Sequence, residues 1–285
     1  MTVGQLYGII KELYNSSPEA SEWFNLRTLM TELMIKYGRA PMEHILSPKN
    51  HADYAENLIF DAKCALDGYP LQYVTGKTAF WKSEFYVGEG VLIPRSDTEI
   101  TVELALKKLG KDSIIYDLCC GSGCIGISML AEREDIKKCF SFDISRTALD
   151  YTQKNAVLNG VNDRLEAVAY DIMSKSFPAG IPRPNMIVSN PPYIRSDEMA
   201  QLPKNVTFEP EIALAGGEDG CDFYRVILES FTPMLEDGGY ILFEIAPGQE
   251  KILTPIFDFY GYETEAFRDY HKNIRTICGK KIKKY

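Results

Sequence analysis

The segment "YDLCCGSGCIG" at residues 116–126 combines an apolar strand, a glycine-rich turn and the first residues of a helix. Gly121 and Gly123 allow the backbone to approach a ligand closely, and the free N–H groups of the following helix point toward the same place. A single Gly-x-Gly also occurs in ordinary strand-to-helix turns. The turn alone therefore does not identify a binding site, and further evidence comes from the sequence around it.

The chain around this turn alternates between the periodicities of strand and helix. Helices are predicted from Cys124, over residues 145–159 and over residues 222–235. Strands are predicted at "SIIYDL", "KCFSFDI", "LEAVAYDI", "NMIVSN", "GGYILFEIA", "GYETEAFRD" and "IRTICGKK". This alternation predicts an α/β fold with a mostly parallel sheet wound with helices.

The first 70 or so residues have a helical pattern instead. Apolar residues recur at three- and four-residue steps, as in Val3, Leu6, Tyr7, Ile10 and Leu13. "DGYPLQYVTG" at residues 67–76 ends the pattern, and the aromatic-rich residues that follow predict a β-hairpin. We therefore divide the chain into a helical domain at 1–73, a hairpin linker at 74–98 and an α/β domain at 99–285.

The composition narrows the class of protein. With 285 residues and 45% hydrophobic content, the chain can bury a sizeable core. A net charge of -9 and a pI near 5.0 disfavour a generally basic nucleic-acid surface and favour a small ligand or a protein partner. No apolar run approaches the length needed to cross a bilayer, and the N-terminus has no leading basic region. We expect a cytoplasmic protein without a membrane partner.

The seven cysteines are odd in number, and none forms a CxxC pair with a matching His or Cys knuckle. Reduced thiols fit this pattern better than disulfides or zinc, so no metal is expected. The three histidines, His44, His51 and His271, have no Ser or Cys constellation around them and are interpreted as surface or structural residues.

Acidic residues near the glycine-rich turn indicate the kind of ligand. Asp143 ends the second predicted strand about 20 residues on, where a carboxylate can accept both hydroxyls of a ribose. The turn begins with Asp117, and a carboxylate there suits a cation or an amino group better than a pyrophosphate. S-adenosylmethionine, which carries a sulfonium, an ammonium and a ribose, is therefore favoured over NAD.

The segment "MIVSNPPYIRSD" at residues 186–197 ends a buried strand abruptly. Pro191 and Pro192 lack the backbone donors that a sheet ladder needs, so the chain must leave the sheet here. Asn190 and Tyr193 are thereby placed at the carboxyl end of a strand, where open α/β sheets bind ligands. NPPY alone also fits an ordinary proline-rich turn capped by Asn.

Together these features resemble the Rossmann-like, S-adenosylmethionine-dependent methyltransferases that methylate nitrogen. The matching features are Asp-x-x-x-Gly-x-Gly at residues 117–123, Asp143, Asp171 after the third strand and NPPY after the fourth. More narrowly, the chain resembles the glutamine methyltransferases of peptide chain release factors, the HemK family, over roughly residues 65–280. The blocks in family order are "PLQYVTG", "FWKSEFYV", "VLIPRSDTE", "DLCCGSG", "IVSNPPYI", "FEPEIALAGGEDG", "YILFEIAPGQ" and "FRDYHKNIRTICGK".

The resemblance implies a class I methyltransferase domain with a seven-stranded sheet and a helical N-terminal domain that recognises the substrate. We expect a monomer, because no long apolar helix face is left without an obvious core partner. The resemblance also implies a methyl transfer to the glutamine of the Gly-Gly-Gln loop of release factors, with no stable nucleic-acid binding. The implied catalytic residues are Asn190, Pro191, Pro192 and Tyr193. The implied S-adenosylmethionine-binding residues are Asp117, Cys119, Cys120, Gly121, Ser122, Gly123, Asp143, Asp171, Ile172 and Asn190.

The sequence departs from the family at two places. Cys119 and Cys120 stand where the family usually has Gly and Thr, so the turn is made without its first glycine. Ser96 and Asp97 in "PRSDTE" replace a more usual proline and glutamate. Aspartate keeps the negative charge of glutamate, but its side chain is shorter. In the neighbouring blocks, Arg95 and Glu209 are interpreted either as ordering the site or as ordinary structural residues.

Four other functions are weighed against glutamine methylation of a release factor. The NPPY motif also occurs in methyltransferases that act on exocyclic amines of nucleic-acid bases, in which a flipped base binds at the same carbonyl pair. A second alternative is methylation of a glutamine in a ribosomal protein, which requires the same site chemistry. A non-catalytic binding module and an NAD-dependent oxidoreductase are the remaining alternatives; binding of S-adenosylmethionine or of nicotinamide would separate them.

Overall fold

The computed structural model describes residues 1–174, 180–269 and 271–282. The chain forms two compact units. The first contains Met1–Lys77 and Pro203–Phe208, and the second contains Thr78–Leu202 and Glu209–Tyr285. The three-part division at residues 73 and 98, with its assignment of roles, stays a prediction.

The first unit is helical and is built around one apolar core. Its helices are α1 (Val3–Asn15), α2 (Leu26–Lys36), α3 (Glu43–Leu46), α4 (Ala55–Leu66) and α5 (Leu71–Thr75). Thr2 caps α1 by accepting a hydrogen bond from the Gln5 N–H, and the Gln5 side chain accepts one from the Thr2 N–H in return. The periodic residues Val3, Leu6 and Ile10 are buried in this core, as the helical pattern predicts.

A short segment from far along the sequence, Pro203–Phe208, belongs to this first unit. Lys204 pairs with Asp67 at 2.9 Å between Nζ and Oδ1, and the Phe208 ring meets the edge of the Tyr69 ring at 5.4 Å between centroids. The ion pair is solvent-exposed, so it contributes little energy and mainly orients the segment. The chain thus leaves the second unit after Leu202 and returns to it at Glu209.

The second unit, from Thr78 onward, contains nearly all of a two-stranded hairpin, β1 (Lys77–Phe80) and β2 (Ser83–Tyr86). The main strands are β3 (Ile114–Leu118), β4 (Lys138–Asp143), β5 (Leu165–Ala169), β6 (Met186–Ser189), β7 (Tyr240–Glu244), β8 (Tyr262–Arg268) and β9 (Ile274–Lys281). The helices are α6 (Glu99–Lys108), α7 (Cys124–Glu132), α8 (Arg146–Leu158), α9 (Asp222–Phe231) and α10 (Glu250–Phe259).

The seven strands form one sheet in the order β5-β4-β3-β6-β7-β9-β8. Neighbours from β5 to β7 are parallel, and β9 is antiparallel to both β7 and β8. The predicted mostly parallel sheet is therefore confirmed. The order reverses between β3 and β6, which lie side by side although β4 and β5 intervene in sequence. Such a switch point opens a crevice at the carboxyl ends of the strands.

Helices cover both faces of the sheet, so its central strands are buried on both sides. On one face, Ile115 and Val188 pack with residues of α6, α7 and α8; on the other, Tyr116 and Ile187 pack with residues of α9 and α10. This three-layer packing fixes where β3, β4 and β6 end. Within the described ranges, no helix is both long and apolar enough to cross a membrane.

Candidate cofactor and catalytic site

The glycine-rich turn joins the end of β3 to the start of α7. Gly121 and Gly123 have φ angles of +56° and +78°, which glycine adopts without a steric penalty. Cys119 also has a positive φ, +56°. A residue with a Cβ pays about 1–2 kcal/mol for this conformation, so the missing glycine at position 119 leaves local strain in the turn.

Asp117 lies buried at the end of β3, behind the turn. Its Oδ2 accepts a hydrogen bond from the Gly126 N–H at 3.0 Å, while its Oδ1 has no hydrogen-bond partner among the described residues. Burial raises the pKa of Asp117 to about 7, and the Gly126 hydrogen bond opposes this only in part. A Cβ at Gly126 would lie 3.0 Å from Oδ2, so the close approach of α7 to the carboxyl requires glycine.

Asp143 connects the end of β4 to the same turn. Its Oδ2 accepts from the Gly121 N–H and its Oδ1 from the Ser145 N–H, each at 2.9 Å. Burial raises the pKa of this carboxyl although these hydrogen bonds favour its charged form. Each carboxylate oxygen can accept a further hydrogen bond, so Asp143 holds the turn and still offers acceptor capacity to a ligand.

A cavity of about 320 Å³ lies over these strand ends, within the range of small-molecule and cofactor sites. Nine of the predicted site residues line it: Cys119, Cys120, Gly121, Ser122, Asp143, Asp171, Ile172, Asn190 and Pro192. Asp117, Gly123, Pro191 and Tyr193 are not among its lining residues. The remaining wall is largely apolar and includes Val91, Leu92, Pro94, Ile144, Ala213 and Phe223.

The NPPY segment begins one residue after β6 ends. Asn190 donates from Nδ2 to the Thr98 Oγ1 at 3.3 Å. Pro191 and Pro192 are buried, and Tyr193 donates its hydroxyl hydrogen to the Glu244 Oε1 at 3.3 Å. Asn190 is therefore held by a contact to the residue before α6, and Tyr193 by a contact to the end of β7.

The backbone after NPPY is clamped by a glycine-rich stretch. The Ile194 N–H donates to the Leu214 carbonyl at 2.9 Å, and the Gly216 N–H donates to the Ile194 carbonyl at 2.8 Å. A Cβ at Gly216 would lie 2.6 Å from the Tyr193 Cα, and one at Gly220 would lie 2.3 Å from the Tyr193 carbonyl oxygen. The "ALAGGEDG" stretch is thus needed for this close backbone packing.

An ion pair between a half-exposed arginine and a buried glutamate borders the cavity. Arg95, a lining residue, pairs with Glu209, which is only 5% exposed. Glu209 also accepts a hydrogen bond from the Ile93 N–H at 3.0 Å through Oε2. Burial raises the pKa of Glu209, and Arg95 opposes that rise. The pair ties "VLIPR" to "FEPEIAL", the two stretches that flank the cavity.

Several contacts around the site come from residues that the sequence analysis did not single out. Asn155 on α8 accepts from the Tyr86 N–H at 2.6 Å and donates to the Ser122 carbonyl at 3.0 Å, joining the hairpin to the glycine-rich turn. Gln249 donates to the carbonyls of Tyr193 and Gly220 at 3.2 and 3.0 Å. Gln249 and Glu244 both lie in the "YILFEIAPGQ" block that resembles the family, and this resemblance is the sequence feature from which their role near the site could have been predicted.

The thiols at the turn are poor nucleophiles. Burial, with the nearby carboxyls of Asp143 and Asp117, raises the pKa of both Cys119 and Cys120 well above the ordinary range. Within residues 1–174, 180–269 and 271–282, no three His, Cys, Asp or Glu side chains are grouped to hold a metal ion. The polar side chains that line the cavity include the carboxyl groups of Asp143 and Asp171, the Asn190 amide, the Arg95 guanidinium and the hydroxyls of Thr98, Ser122, Ser145 and Tyr170.

The fold and the position of the cavity define a class I methyltransferase. The family model of the methyltransferase small domain matches residues 95–207. A crystal structure of the M. jannaschii tRNA m1G37 methyltransferase is similar in fold, with a TM-score of 0.51 and 15% identity. The matched region covers 73% of this chain and 57% of the methyltransferase chain. A crystal structure of Methanocaldococcus jannaschii Trm5 in complex with adenosine gives a TM-score of 0.52, also at 15% identity, over 73% of this chain and 55% of that one.

The particular family follows from closer relatives. The release factor glutamine methyltransferase of Clostridium acetobutylicum is 37% identical over 212 residues, which cover 73% of this chain and 74% of that protein. That of Bacillus subtilis is 36% identical over 222 residues, covering 74% and 75%. The chain belongs to the release factor glutamine methyltransferase family, and the predicted family resemblance is confirmed.

S-adenosylmethionine, the methyl donor of this family, is the cofactor of the chain. The residues at the cavity fit it. The Asp143 carboxylate has acceptor capacity left for ribose hydroxyls, and the apolar wall suits the faces of a nucleobase. The Oδ1 of the buried Asp117 has no partner among the described residues, and a cationic ligand bound nearby would favour the charged form of this carboxyl.

Proposed function

We propose that this protein transfers the methyl group of S-adenosylmethionine to the side-chain amide nitrogen of the glutamine in the Gly-Gly-Gln loop of peptide chain release factors. The observation that carries the proposal is the hydrogen bond from the Asn190 Nδ2 to the Thr98 hydroxyl. Because the amide oxygen lies on the opposite side of the carboxamide, it is turned away from Thr98, at a residue that lines the cavity. An amide N–H of a substrate is the group that such an oxygen accepts.

The chemistry requires positioning more than a base. The nitrogen of a glutamine amide is a poor nucleophile, since its lone pair is delocalised into the carbonyl. If the Asn190 oxygen and the Pro191 carbonyl each accept one amide hydrogen, the lone pair is directed at the methyl group and developing positive charge is stabilised. Alignment of this kind can supply up to roughly 7–11 kcal/mol.

Tyr193 and Pro192 would shape the rest of the site. Pro192 is buried and lines the cavity, and Tyr193 is fixed through its hydroxyl, its carbonyl and the adjacent glycines. Pro192 at the cavity wall, held in place by the fixed Tyr193 that follows it, would exclude water, which leaves the sulfonium of the cofactor poorly solvated and its methyl easier to transfer. S-adenosylmethionine supplies the electrophilic methyl; the chain supplies geometry and a dry environment.

On the cofactor side, Asp143 would bind the ribose, and Asp171 with Ile172 would flank the base. Asp171 accepts from the Met173 N–H at 2.8 Å through Oδ1, which holds the segment after β5 at the cavity. The backbone of Cys119, Cys120, Gly121, Ser122 and Gly123 would surround the methionine portion. The family motif supports these roles, as does the position of all of these residues except Gly123 at the cavity.

The release factor would be recognised by the helical first unit, and the enzyme would act as a monomer in the cytoplasm, where translation terminates. The relatives named as release factor glutamine methyltransferases support this substrate. The net charge of -9 supports a protein substrate without stable nucleic-acid binding.

The test is a transfer assay with methyl-labelled S-adenosylmethionine. The acceptors are a purified release factor, the same factor with its loop glutamine replaced, a ribosomal-protein mixture, and bulk ribosomal RNA and DNA. Label on the intact factor alone, mapped to that glutamine by mass spectrometry, is the expected result. Label on nucleic acid or on ribosomal protein, but not on the factor, would overturn the substrate while leaving the methyltransferase activity.

A further inference from the structure

One positively charged side chain stands on the wall of the cavity. Among the described residues that line it, Arg95 is the one lysine or arginine, whereas Asp143 and Asp171 contribute two carboxyl groups. The carbonyl of Arg95 accepts from the Thr98 N–H at 3.1 Å, and the Thr98 hydroxyl accepts from the Asn190 amide. Arg95 therefore belongs to the segment that contacts the proposed catalytic asparagine.

The guanidinium of Arg95 is anchored through one of its nitrogen atoms. Its Nη2 donates to the Glu209 Oε1, and the Glu209 Oε2 accepts from the Ile93 N–H at 3.0 Å. The Glu209 side chain is 1% exposed, whereas that of Arg95 is 39% exposed. A guanidinium carries five N–H donors, and within the described part of the chain the bond to Glu209 is the one that it donates. Donors therefore remain for a ligand in the cavity.

The charges of S-adenosylmethionine restrict where such a group can favour binding. The cofactor carries two positive groups, the sulfonium and the ammonium, and one negative group, the carboxylate of its methionine portion. A cation on the cavity wall repels the first two and attracts only the third. The planar guanidinium also presents paired N–H groups that match the two oxygens of a carboxylate. Arg95 therefore favours cofactor binding where it meets that carboxylate.

We propose that Arg95 binds the methionine carboxylate of S-adenosylmethionine through the guanidinium donors that Glu209 does not use. With Asp143 at the ribose, the cofactor then has an anchor on each side of its sulfonium, which lies between the ribose and the methionine chain. Two anchors restrict the position of the methyl group along the cavity. The inference concerns the methyl donor and goes beyond the proposed function, because it holds for any methyl acceptor.

The test uses a ligand that differs from the cofactor only in this group. Decarboxylated S-adenosylmethionine keeps the adenosine, the sulfonium and the ammonium and lacks the carboxylate. Calorimetry gives the dissociation constants of both ligands for the wild type and for Arg95→Gln. We expect R95Q to raise the constant for S-adenosylmethionine by about 10- to 100-fold, the range for hydrogen bonds between charged groups. The constant for the decarboxylated ligand should rise by less than about threefold, because that ligand loses no partner.

A double variant separates this role from that of a structural ion pair. R95Q leaves the buried Glu209 carboxylate without its cation, which is costly for the fold. R95Q/E209Q removes both charges and replaces them with two amide side chains that can hydrogen-bond to each other. It should show the same selective loss of affinity for S-adenosylmethionine. If the pair served only to join "VLIPR" to "FEPEIAL", R95Q would weaken both ligands alike and the double variant would restore both.

Arg225→Gln is the matched control. Arg225 also pairs with a carboxylate, that of Asp219, its side chain is 40% exposed, and it is not among the lining residues of the cavity. Both dissociation constants should stay unchanged in R225Q. Equal losses for the two ligands in R95Q, restored in the double variant, or no loss for either ligand, would overturn the inference. These measurements contain no methyl acceptor, so failure to methylate a release factor would overturn the proposed function and leave this result intact.

Discussion

The carboxylate of Asp143 accepts a hydrogen bond from the backbone N–H of Gly121 at 2.9 Å, and it lines the same cavity as that glycine. One side chain therefore both shapes the glycine-rich turn and lines the cavity. Since β4 and β3 are adjacent parallel strands, the end of one reaches the turn that follows the other. A substitution of Asp143 should therefore weaken cofactor binding more than it lowers the stability of the fold.

Replacing Asp143 tests this relationship. Asp143→Asn keeps an acceptor for Gly121 but loses the charge and one acceptor oxygen. We expect the dissociation constant for S-adenosylmethionine to rise by about 10- to 100-fold, measured by calorimetry, because hydrogen bonds to charged groups are worth ~1.5–3 kcal/mol. Asp150→Asn, on an exposed position of α8, is the control and should leave the constant unchanged. An unchanged constant in D143N would remove Asp143 from the cofactor site.

The strained turn residue offers a stability prediction. Cys119 has a φ of +56°, whereas Cys120 has no positive φ. Cys119→Gly should raise the free energy of unfolding by ~0.5–1 kcal/mol, since the relief of left-handed strain exceeds the added entropy of the unfolded chain. Cys120→Gly should lower it by a similar amount, because Cys120 is buried and gains nothing from glycine. Denaturant titration of both variants measures the difference; destabilisation by both would argue against strain at 119.

Asp117 predicts a pH dependence of stability. Burial raises its pKa in the folded state to about 7, above its ordinary value of 3.8. The folded state therefore favours the protonated form, and the stability contributed by this group is fully present below pH 3.8 and is lost as the pH rises through 7. Asp117→Asn, which keeps an acceptor for Gly126, should be more stable than the wild type at pH 8, by up to a few kcal/mol on the order expected for a buried carboxylate.

The measurement is thermal unfolding without ligand at pH 5 and pH 8. The excess stability of D117N should be clearly larger at pH 8 than at pH 5. Glu244, whose pKa burial also raises to about 7, acts in the same direction, so variant and wild type are compared at each pH and not across pH values. The same excess at both values would show that Asp117 does not titrate in this range.

The clamp on NPPY can be tested with two glycines. Gly220 and Gly238 have φ angles of +73° and +76°, so alanine strains the backbone equally at both. A Cβ at Gly220 would meet the Tyr193 carbonyl at 2.3 Å, whereas one at Gly238 meets nothing within 4 Å. Gly220→Ala should lower kcat by about tenfold or more through displacement of Tyr193, because small misplacements are costly in positioned catalysis. Gly238→Ala should lose stability alone; equal kcat losses would contradict the clamp.

Local sequence was sufficient for much of the fold. The periodicity of apolar residues predicts all seven strands of the main sheet, and the predicted "IRTICGKK" strand coincides with β9. Helices predicted over residues 145–159 and 222–235 begin at Arg146 and Asp222 and end slightly earlier than predicted, at Leu158 and Phe231. A cap explains the offset at the start of α8: Ser145 lies just outside the helix and accepts from the Ala148 N–H.

The supporting residues could not be read from local pattern. Asn155 joins the hairpin to the glycine-rich turn across 69 and 33 residues of sequence, and Thr98 reaches Asn190 across 92. Their neighbours in the sequence look like ordinary helix. Similarly, residues 203–208 carry no signal that assigns them to the helical unit, because their partners, Asp67 and Tyr69, lie far earlier in the chain.

The most direct test of the central claim is a single-turnover comparison of wild type and Asn190→Ala, with a release factor as acceptor and labelled S-adenosylmethionine. If Asn190 orients the substrate amide, the rate of methyl transfer should fall by about 100-fold or more, while the dissociation constant for S-adenosylmethionine stays within about threefold. An equal loss of rate and of cofactor affinity, or an unchanged rate, would contradict the assignment of Asn190 to methyl transfer.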